Sequence, residues 1–194
     1  MGKLIGNKKL NIAVFISGRG SNLNNLIKFS KKKKSFINLI FVVSSSKAAR
    51  GLVYAKKNNI KIIIFNYKKK LTSERNVLKI LNSNKIKLIC LAGFMKILSI
   101  KFIRNFKGKI INIHPSLLPR YKGLNTHERV IKNNEKFTGC TVHFVNKNLD
   151  SGKIIIQKKI KIKKGDTASI LSKKVLTLEH QLYPKAIKKL FASL

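Results

Sequence analysis

The sequence contains few cysteines, few acidic residues and no long apolar run. Its two cysteines, Cys90 and Cys140, are too few for a disulfide scaffold. Both lie in apolar, strand-like surroundings, so we expect two buried thiols, with a single disulfide between them as the alternative. No segment offers the roughly 20 unbroken apolar residues that a membrane span requires, and no secretory cleavage site follows the first apolar run. These absences favour a cytoplasmic protein without membrane association.

Metal-binding and cysteine-nucleophile patterns are also missing. The four histidines show no metal-ligand spacing and the two cysteines are isolated, so we predict no metal. Neither cysteine has a base at a recognisable spacing, which makes a catalytic cysteine a weak interpretation.

The scarcity of acids leaves a large positive charge. Six acidic residues stand against 43 lysines and arginines, and the formal net charge is +37. This excess is compatible with nucleic-acid binding. However, the lysines are dispersed along the chain, and the aromatic interleaving of single-strand binders is absent. The composition, rich in Lys, Ile and Asn, is that of A+T-rich coding. We therefore predict no specific nucleic-acid partner and keep a nucleic-acid-binding protein as the non-enzyme alternative.

Apolar β-branched runs alternate with amphipathic segments along the 194 residues. This alternation predicts one α/β domain, a mostly parallel twisted sheet with helices on both faces. We predict strands over residues 11–16, 37–43, 60–65, 88–92, 110–114, 141–145 and 154–162. The predicted helices cover residues 21–29, 47–57, 75–81 and 167–191, the last interrupted around Tyr183 and Pro184. The last two strands have no long helix between them, so they are candidates for antiparallel pairing. Residues 1–9 are predicted to be a flexible N-terminal extension.

One of these strands ends in polar residues. Asn112 and His114 stand two positions apart in a β-branched run, so their side chains point to the same face of a strand. Pro115 cannot donate to a sheet ladder and therefore ends the strand. Ligands of open parallel sheets bind at the carboxyl ends of the strands. The amide and the imidazole together predict a reaction site.

The turn over residues 18–22 joins the first predicted strand to the first helix. Its glycines allow close backbone approach, and the helix N-terminus offers free N–H groups to a phosphate. The third glycine of the dinucleotide fingerprint and the Gly-Lys-Ser/Thr of a Walker loop are both absent. A tight turn with Ser21 as the helix N-cap is an equally good interpretation.

Asp150 stands out because acids are so rare in this chain. A carboxylate near an imidazole raises the pKa of that imidazole, which suits general acid catalysis near neutral pH. We therefore pair Asp150 with His114. The alternative is that Asp150 only forms a turn before Gly152.

Six segments in order carry a resemblance to a known family. They are residues 16–22 (ISGRGSN), 91–98 (LAGFMKIL), 112–119 (NIHPSLLP), 123–127 (GLNTH), 142–145 (VHFV) followed by Leu149-Asp150, and 179–184 (EHQLYP). From about Asn11 to near its C-terminus the chain resembles the folate-dependent phosphoribosylglycinamide formyltransferases. The resemblance implies the formyltransferase fold, with a Rossmann-like N-terminal half. It also implies transfer of a formyl group from 10-formyltetrahydrofolate to the amine of glycinamide ribonucleotide in de novo purine biosynthesis, through a tetrahedral intermediate.

The same resemblance implies roles for individual residues. Asn112 would stabilise the oxyanion, His114 would donate a proton or a charged hydrogen bond, and Asp150 would orient His114 and keep it protonated. The ribonucleotide phosphate would bind at Gly20, Ser21 and Asn22, and the ribose hydroxyls at Glu179.

The folate contacts implied by the resemblance lie in two segments. The residues that would line the pterin pocket are Met95, Lys96, Ile97, Leu98, Asn112, Asn146, Lys147, Asn148, Leu149 and Asp150. Arg75 is the candidate partner of the folate glutamate tail. Core packing is the alternative role of Met95, Ile97 and Leu98.

Two related enzymes are alternatives to this function. Methionyl-tRNA formyltransferases have a similar Asn-x-His…Asp arrangement, and the positive charge would suit tRNA. That family adds a C-terminal β-barrel domain, for which 194 residues leave no room. Formyltetrahydrofolate hydrolases usually add an N-terminal regulatory domain, which we do not find. We expect small-molecule substrates and a monomer or homodimer.

Overall fold

Seven strands form one sheet in the computed structural model, which describes residues 9–192. All but Lys9 of the predicted N-terminal extension therefore lies outside the described residues. The strands are β1 (Leu10–Ile16), β2 (Ile37–Ser44), β3 (Lys61–Ile64), β4 (Leu88–Leu91), β5 (Lys109–His114), β6 (Phe137–Phe144) and β7 (Ile154–Lys161). The helices are α1 (Ser21–Ser30), α2 (Leu52–Lys57), α3 (Lys70–Ser83), α4 (Ile100–Asn105), α5 (Thr126–Lys132) and α6 (Ala168–Phe191), and a 3₁₀ turn covers Tyr67–Lys69.

The strand order is β3-β2-β1-β4-β5-β6-β7. The first five strands in this order are parallel, whereas β6 and β7 pair antiparallel, as the missing helix between them predicts. The chain moves outward from β1 to β3 and then returns to place β4 on the other side of β1. Such a reversal opens a crevice at the carboxyl ends of the strands, where ligands of α/β sheets bind.

The two faces of the sheet bury different helices. Alternate residues of β1 point to opposite faces, so that Val14 packs with α1, α2 and α6 and Phe15 packs with α3 and α4. Both side chains are fully buried. Phe15 meets the ring of Phe102 of α4 edge to face, with 6.2 Å between centroids. Helices on both faces of a mostly parallel sheet confirm the predicted fold class.

Helix α6 continues through Pro184, so the predicted interruption is wrong. Proline removes one hydrogen bond to the carbonyl four residues earlier, which is that of His180. The side-chain amide of Asn25 in α1 donates to this carbonyl at 2.7 Å and satisfies it. A contact from another helix therefore offsets the loss.

Other helix limits also differ from the predictions. Helix α2 begins at Leu52 and not at residue 47, because the backbone before it turns to place the Gly51 N–H on the Gly18 carbonyl at 2.9 Å. Helix α3 begins at Lys70, five residues earlier than residue 75. The short helices α4 and α5 were not predicted, because six and seven residues carry little periodic signal.

Both cysteines are free and buried, which confirms the prediction of two thiols and excludes the disulfide. Burial raises the pKa of Cys140 to about 12, and it raises the pKa of Cys90 even further. Neither sulfur forms a thiolate near neutral pH. Over residues 9–192, no helix has the length and apolarity to cross a bilayer.

Candidate active site

Strand β5 carries Asn112 and His114 to the carboxyl edge of the sheet, as predicted. The antiparallel register with β6 places His143 opposite Asn112 and Thr141 opposite His114. His114 is 5% exposed, and the side-chain amide nitrogen of Asn112 lies 3.3 Å from Nε2 of His143. The end of β5 therefore presents an amide and an imidazole, with a second imidazole opposite the amide on the neighbouring strand.

Asp150 enters this cluster from the loop after β6. Its Oδ2 lies 3.4 Å from Nδ1 of His114, and its Oδ1 lies 3.4 Å from the amide nitrogen of Asn112 and 3.6 Å from Nε2 of His143. The backbone N–H of Gly123 donates to Oδ2 at 2.9 Å. The three residues proposed for catalysis thus lie within one cluster. Asp150 also has a φ of 45°, so its position in a turn and its place in the cluster are compatible.

The protonation of His114 follows from its partners. Its Nε2 lies 2.8 Å from the carbonyl oxygen of Tyr121, and a carbonyl can only accept, so Nε2 carries a hydrogen. In the neutral imidazole the lone pair is then on Nδ1, the atom that faces Asp150. The proton-accepting nitrogen of His114 is therefore Nδ1.

Burial lowers the pKa of His114 below its ordinary value of 6.5, although the Tyr121 carbonyl and the charge of Asp150 favour the imidazolium. Asp150 favours the imidazolium, as predicted, but desolvation outweighs the carboxylate, so the expectation that Asp150 keeps His114 protonated in the free site is not met. Burial would also raise the pKa of Asp150, yet the contact with His143, the hydrogen bond donated by the Gly123 N–H and the nearby imidazoles together lower it below 3.8. At neutral pH the free site holds an ionised carboxylate beside a neutral imidazole.

His143 is a member of the cluster that our sequence analysis did not identify. It is 2% exposed, and its Nδ1 lies 2.8 Å from the carbonyl oxygen of Phe144, so Nδ1 carries the hydrogen. Nε2 is then free to accept the hydrogen bond from Asn112. The sequence signal was its place in the predicted strand over residues 141–145, but its partners are set by pairing with β5.

The turn after β1 forms a second part of the site. The N-cap of α1 is Gly20, with φ 72°, and no side chain caps the helix, so the alternative with Ser21 as the N-cap is wrong. A Cβ on Gly20 would lie 2.6 Å from Cα of Gly51, which only a glycine avoids. Gly51 was not recognised from the sequence. Among residues 9–192 no side chain caps the first-turn N–H groups of α1, and these groups can receive an anion.

Asn22 and Glu179 meet beneath this turn, although they are 157 positions apart in the chain. The amide nitrogen of Asn22 donates to a carboxylate oxygen of Glu179 at 2.7 Å, and both side chains are buried. The amide oxygen of Asn22 has no hydrogen-bond partner within residues 9–192. Two of the four residues proposed for ribonucleotide binding are thus in direct contact, and the amide oxygen of Asn22 is available as an acceptor.

Burial raises the pKa of Glu179 from 4.5 to about 7, although the hydrogen bond from Asn22 lowers it. In the unfolded chain the carboxyl ionises near 4.5, so between these values the folded chain holds a proton that the unfolded chain has lost. The stability from protonated Glu179 is therefore present below pH 4.5 and is lost as the pH rises through about 7.

Substituting Glu179 should reveal this loss. We expect Glu179→Gln to match the wild type in unfolding free energy near pH 4.5 and to exceed it above about pH 7. The difference should grow by at most about 1.4 kcal/mol per pH unit, since the amide needs no charge to be desolvated. Urea unfolding of both proteins over this pH range measures it. A difference that does not change with pH would contradict the buried, protonated carboxyl.

The proposed folate segments are largely exposed. Met95 and Ile97 are 61% and 64% exposed, so core packing is excluded for them, whereas Leu98 is 6% exposed and does pack in the core. The N–H of Met95 donates to the Ser17 hydroxyl at 2.8 Å, which ties this segment to the end of β1. The ammonium of Lys96 lies over the ring of Tyr67.

The second folate segment precedes Asp150. Its four exposed residues are Asn146, Lys147, Asn148 and Leu149. Leu149 is 58% exposed and approaches Gly123, whose N–H donates to Asp150. Arg75 is exposed on α3, and no contact within residues 9–192 joins it to Asn112, His114 or Asp150.

The described part of the chain holds no group of three or more His, Cys, Asp or Glu side chains suited to a metal ion. A doubly wound sheet in which β5 ends in an amide and an imidazole, with a carboxylate from the loop after β6 beside them, is typical of an α/β enzyme that uses acid–base chemistry. The particular family follows from comparison with known proteins.

The formyl transferase family model matches residues 10–187 of the chain. Phosphoribosylglycinamide formyltransferase from Haemophilus influenzae is 41% identical over 180 residues, which are 91% of this chain and 85% of that enzyme. The chain belongs to the formyl transferase family, with the phosphoribosylglycinamide formyltransferases as its relatives over nearly their full length. The family predicted from the sequence is thereby confirmed.

Solved structures agree with this assignment. Phosphoribosylglycinamide formyltransferase from Brucella melitensis superposes with a TM-score of 0.89 at 39% identity, covering 96% of this chain and 97% of that one. The enzyme from Anaplasma phagocytophilum gives 0.88 at 41% identity, covering 93% and 86%. The trifunctional purine biosynthetic protein adenosine-3 of Bos taurus is 42% identical over 184 residues, 93% of this chain. The chain spans only 18% of the length of that curated relative.

Proposed function

We propose that this chain transfers the formyl group of 10-formyltetrahydrofolate to the amine of glycinamide ribonucleotide in purine biosynthesis. The observation that carries the proposal is the convergence of Asn112, His114 and Asp150 at the carboxyl edge of the sheet. Helix α1 begins at the same edge, after β1. The three side chains supply acid–base chemistry, and the N-terminus of α1 supplies an anion site for the ribonucleotide.

The amine attack requires a proton acceptor. As the amine nitrogen bonds to the formyl carbon, the carbonyl π electrons move to oxygen and the nitrogen must lose a proton. The neutral Nδ1 of His114 takes this proton, either directly or through a water molecule. Asp150, ionised and 3.4 Å away, then stabilises the imidazolium that burial alone would disfavour.

The reaction also needs a group that stabilises the oxyanion and one that protonates the leaving nitrogen. The amide nitrogen of Asn112 has long contacts of 3.3 and 3.4 Å to His143 and Asp150, so a developing oxyanion can draw one of its hydrogens. When the carbonyl reforms, the bond between the formyl carbon and the folate nitrogen breaks. The imidazolium of His114 returns its proton to that nitrogen. His114 thus acts as a base and then as an acid, and no covalent enzyme intermediate is required.

The substrates bind on either side of this cluster in our proposal. The phosphate of the ribonucleotide accepts from the backbone N–H groups of Gly20 and Ser21 at the uncapped start of α1. Asn22 and Glu179 lie next to it, and their free oxygens accept from the ribose hydroxyls. The pterin lies between exposed residues 95–98 and 146–150, with Arg75 as the candidate contact of the glutamate tail.

The function is tested by measuring absorbance changes with 10-formyltetrahydrofolate in the presence and absence of glycinamide ribonucleotide. We expect folate deformylation that depends on the ribonucleotide and is lost in His114→Ala. Equal formate release without the acceptor would indicate a hydrolase. Formylation of methionyl-tRNA would indicate the tRNA enzyme. Folded protein without turnover, combined with saturable and steeply salt-dependent duplex binding, would support the nucleic-acid alternative.

A further inference from the structure

The loop over residues 120–124 supplies backbone atoms to both members of the catalytic pair. The Tyr121 carbonyl accepts from Nε2 of His114 at 2.8 Å, and the Gly123 N–H donates to Asp150 at 2.9 Å. The hydroxyl of Ser116 also donates to the Tyr121 carbonyl, at 3.2 Å. The orientation of the pair therefore depends on where this loop is held.

Tyr121 is the point at which the loop is constrained. Its φ is 56°, in the left-handed region that residues other than glycine rarely adopt. Such a conformation persists only where the surroundings over-determine it. Contacts of the Tyr121 side chain can therefore hold its backbone in this conformation.

The side chain of Tyr121 is fixed at its hydroxyl and at its ring. The hydroxyl donates to Glu135 at 2.6 Å and accepts from the side-chain amide of Asn133 at 2.9 Å. The guanidinium groups of Arg120 and Arg129 lie 5.4 and 5.3 Å from the ring centroid. Glu135 is paired in turn with Arg120, so the phenol is held by an anchored carboxylate.

The contacts of Arg129 extend the support to the next residues of the loop. Its guanidinium donates to the carbonyls of Lys122 at 2.6 Å and Leu124 at 3.3 Å, on either side of Gly123. The hydrogen bond from Tyr121, together with Arg120, lowers the pKa of Glu135, which keeps that side chain an acceptor throughout the neutral range. Residues of α5 and of the turn after it thus hold the loop, and the loop contacts His114 through the carbonyl of Tyr121.

We infer that Tyr121 and Glu135 form a positioning pair, which holds His114 with its proton on Nε2 and its Nδ1 free to exchange a proton beside Asp150. Neither side chain touches the substrates in this assignment; both act through the backbone carbonyl of Tyr121. The inference rests on the proposed function only for the catalytic importance of Nδ1. The tautomer itself is a property of the free protein.

The test combines kinetics with the tautomer of His114. Tyr121→Phe removes only the hydroxyl, Glu135→Ala removes the acceptor, and Glu135→Gln keeps an oxygen that can accept from the phenol. Asp166→Asn is the control, since it removes a comparable carboxylate from an ion pair with Lys174. Each variant is assayed for kcat and for both KM values, and ¹⁵N-labelled imidazole is observed by long-range proton–nitrogen correlation in the absence of substrates.

We expect Tyr121→Phe and Glu135→Ala to lower kcat by roughly tenfold, with each KM within about twofold of the wild type. In both variants the proton of His114 should be shared between Nε2 and Nδ1, whereas in the wild type it stays on Nε2. Glu135→Gln should recover most of the lost kcat, and Asp166→Asn should change neither kcat nor the tautomer.

An unchanged His114 tautomer in both Tyr121→Phe and Glu135→Ala would overturn the inference, whatever happens to kcat. A shifted tautomer with kcat at the wild-type value would overturn the catalytic part of it. Absence of formyl transfer by the wild-type protein would count against the proposed function alone, because the nuclear magnetic resonance measurement still decides the positioning role.

Discussion

Replacing Asp150 with asparagine is expected to lower kcat by roughly 10³-fold or more while the protein remains folded. An amide oxygen can still accept from the Gly123 N–H, which Asp150 does at 2.9 Å, so the turn keeps its hydrogen bond. What disappears is the negative charge beside Nδ1 of His114, at 3.4 Å. Because burial already disfavours the imidazolium, His114 would then have little capacity to take the proton of the attacking amine.

The measurement is steady-state kinetics with both substrates saturating, alongside thermal unfolding to establish that Asp150→Asn is folded. Asp166→Asn, which loses an equivalent charge from its pair with Lys174, should retain full activity. Turnover of Asp150→Asn near the wild-type rate would remove Asp150 from the proton transfer. It would leave Asp150 the role of a turn former.

The parts of the fold and site that were predictable depend on local pattern. Asn112 and His114 could be found because residues 110–114 show the alternation of a strand and Pro115 ends it. This signal lies entirely in consecutive residues. Asp150 could be found because an acid is rare in this chain. The antiparallel end of the sheet followed from the short connection between β6 and β7.

The parts that were missed depend on residues distant in sequence. His143 joins the cluster only because β6 pairs with β5 in one register. Gly51 is required only because the turn before α2 packs on Gly20. Helix α6 tolerates Pro184 only because Asn25 of another helix satisfies the freed carbonyl. None of these partners is visible from the neighbouring residues.

The expectation that Asp150 keeps His114 protonated was not met for a related reason. A nearby carboxylate can be inferred from sequence, and its effect on an imidazole has a known sign. The depth of burial around that imidazole depends on the whole fold, and here it outweighs the carboxylate. In the proposed mechanism this direction makes the free imidazole a base for the attacking amine, and the acid for the leaving nitrogen is generated during the reaction.

In this order of events Asn112 stabilises the oxyanion, because no imidazolium is present before the attack. Substituting Asn112 should therefore have a large effect on kcat. We expect Asn112→Ala to lower kcat by about 10²–10³-fold, the equivalent of about 3–4 kcal/mol of transition-state stabilisation. The side chain sits at the end of β5, and its amide contacts of 3.3 and 3.4 Å are long enough to be exchanged for a stronger acceptor. The KM values should change little, because the ground-state carbonyl gains less from the amide than the oxyanion does.

Asn38→Ala is the matched control for this substitution, since Asn38 is an exposed strand asparagine of β2 whose amide bonds only to Asn11 among the described residues. It should be fully active. A rise in KM for the folate with kcat intact would mean that Asn112 binds the substrate equally in the ground state and the transition state. Oxyanion stabilisation would then have to come from His114, which would need to be protonated before the attack. The low pKa of the buried imidazole in the free site argues against that sequence.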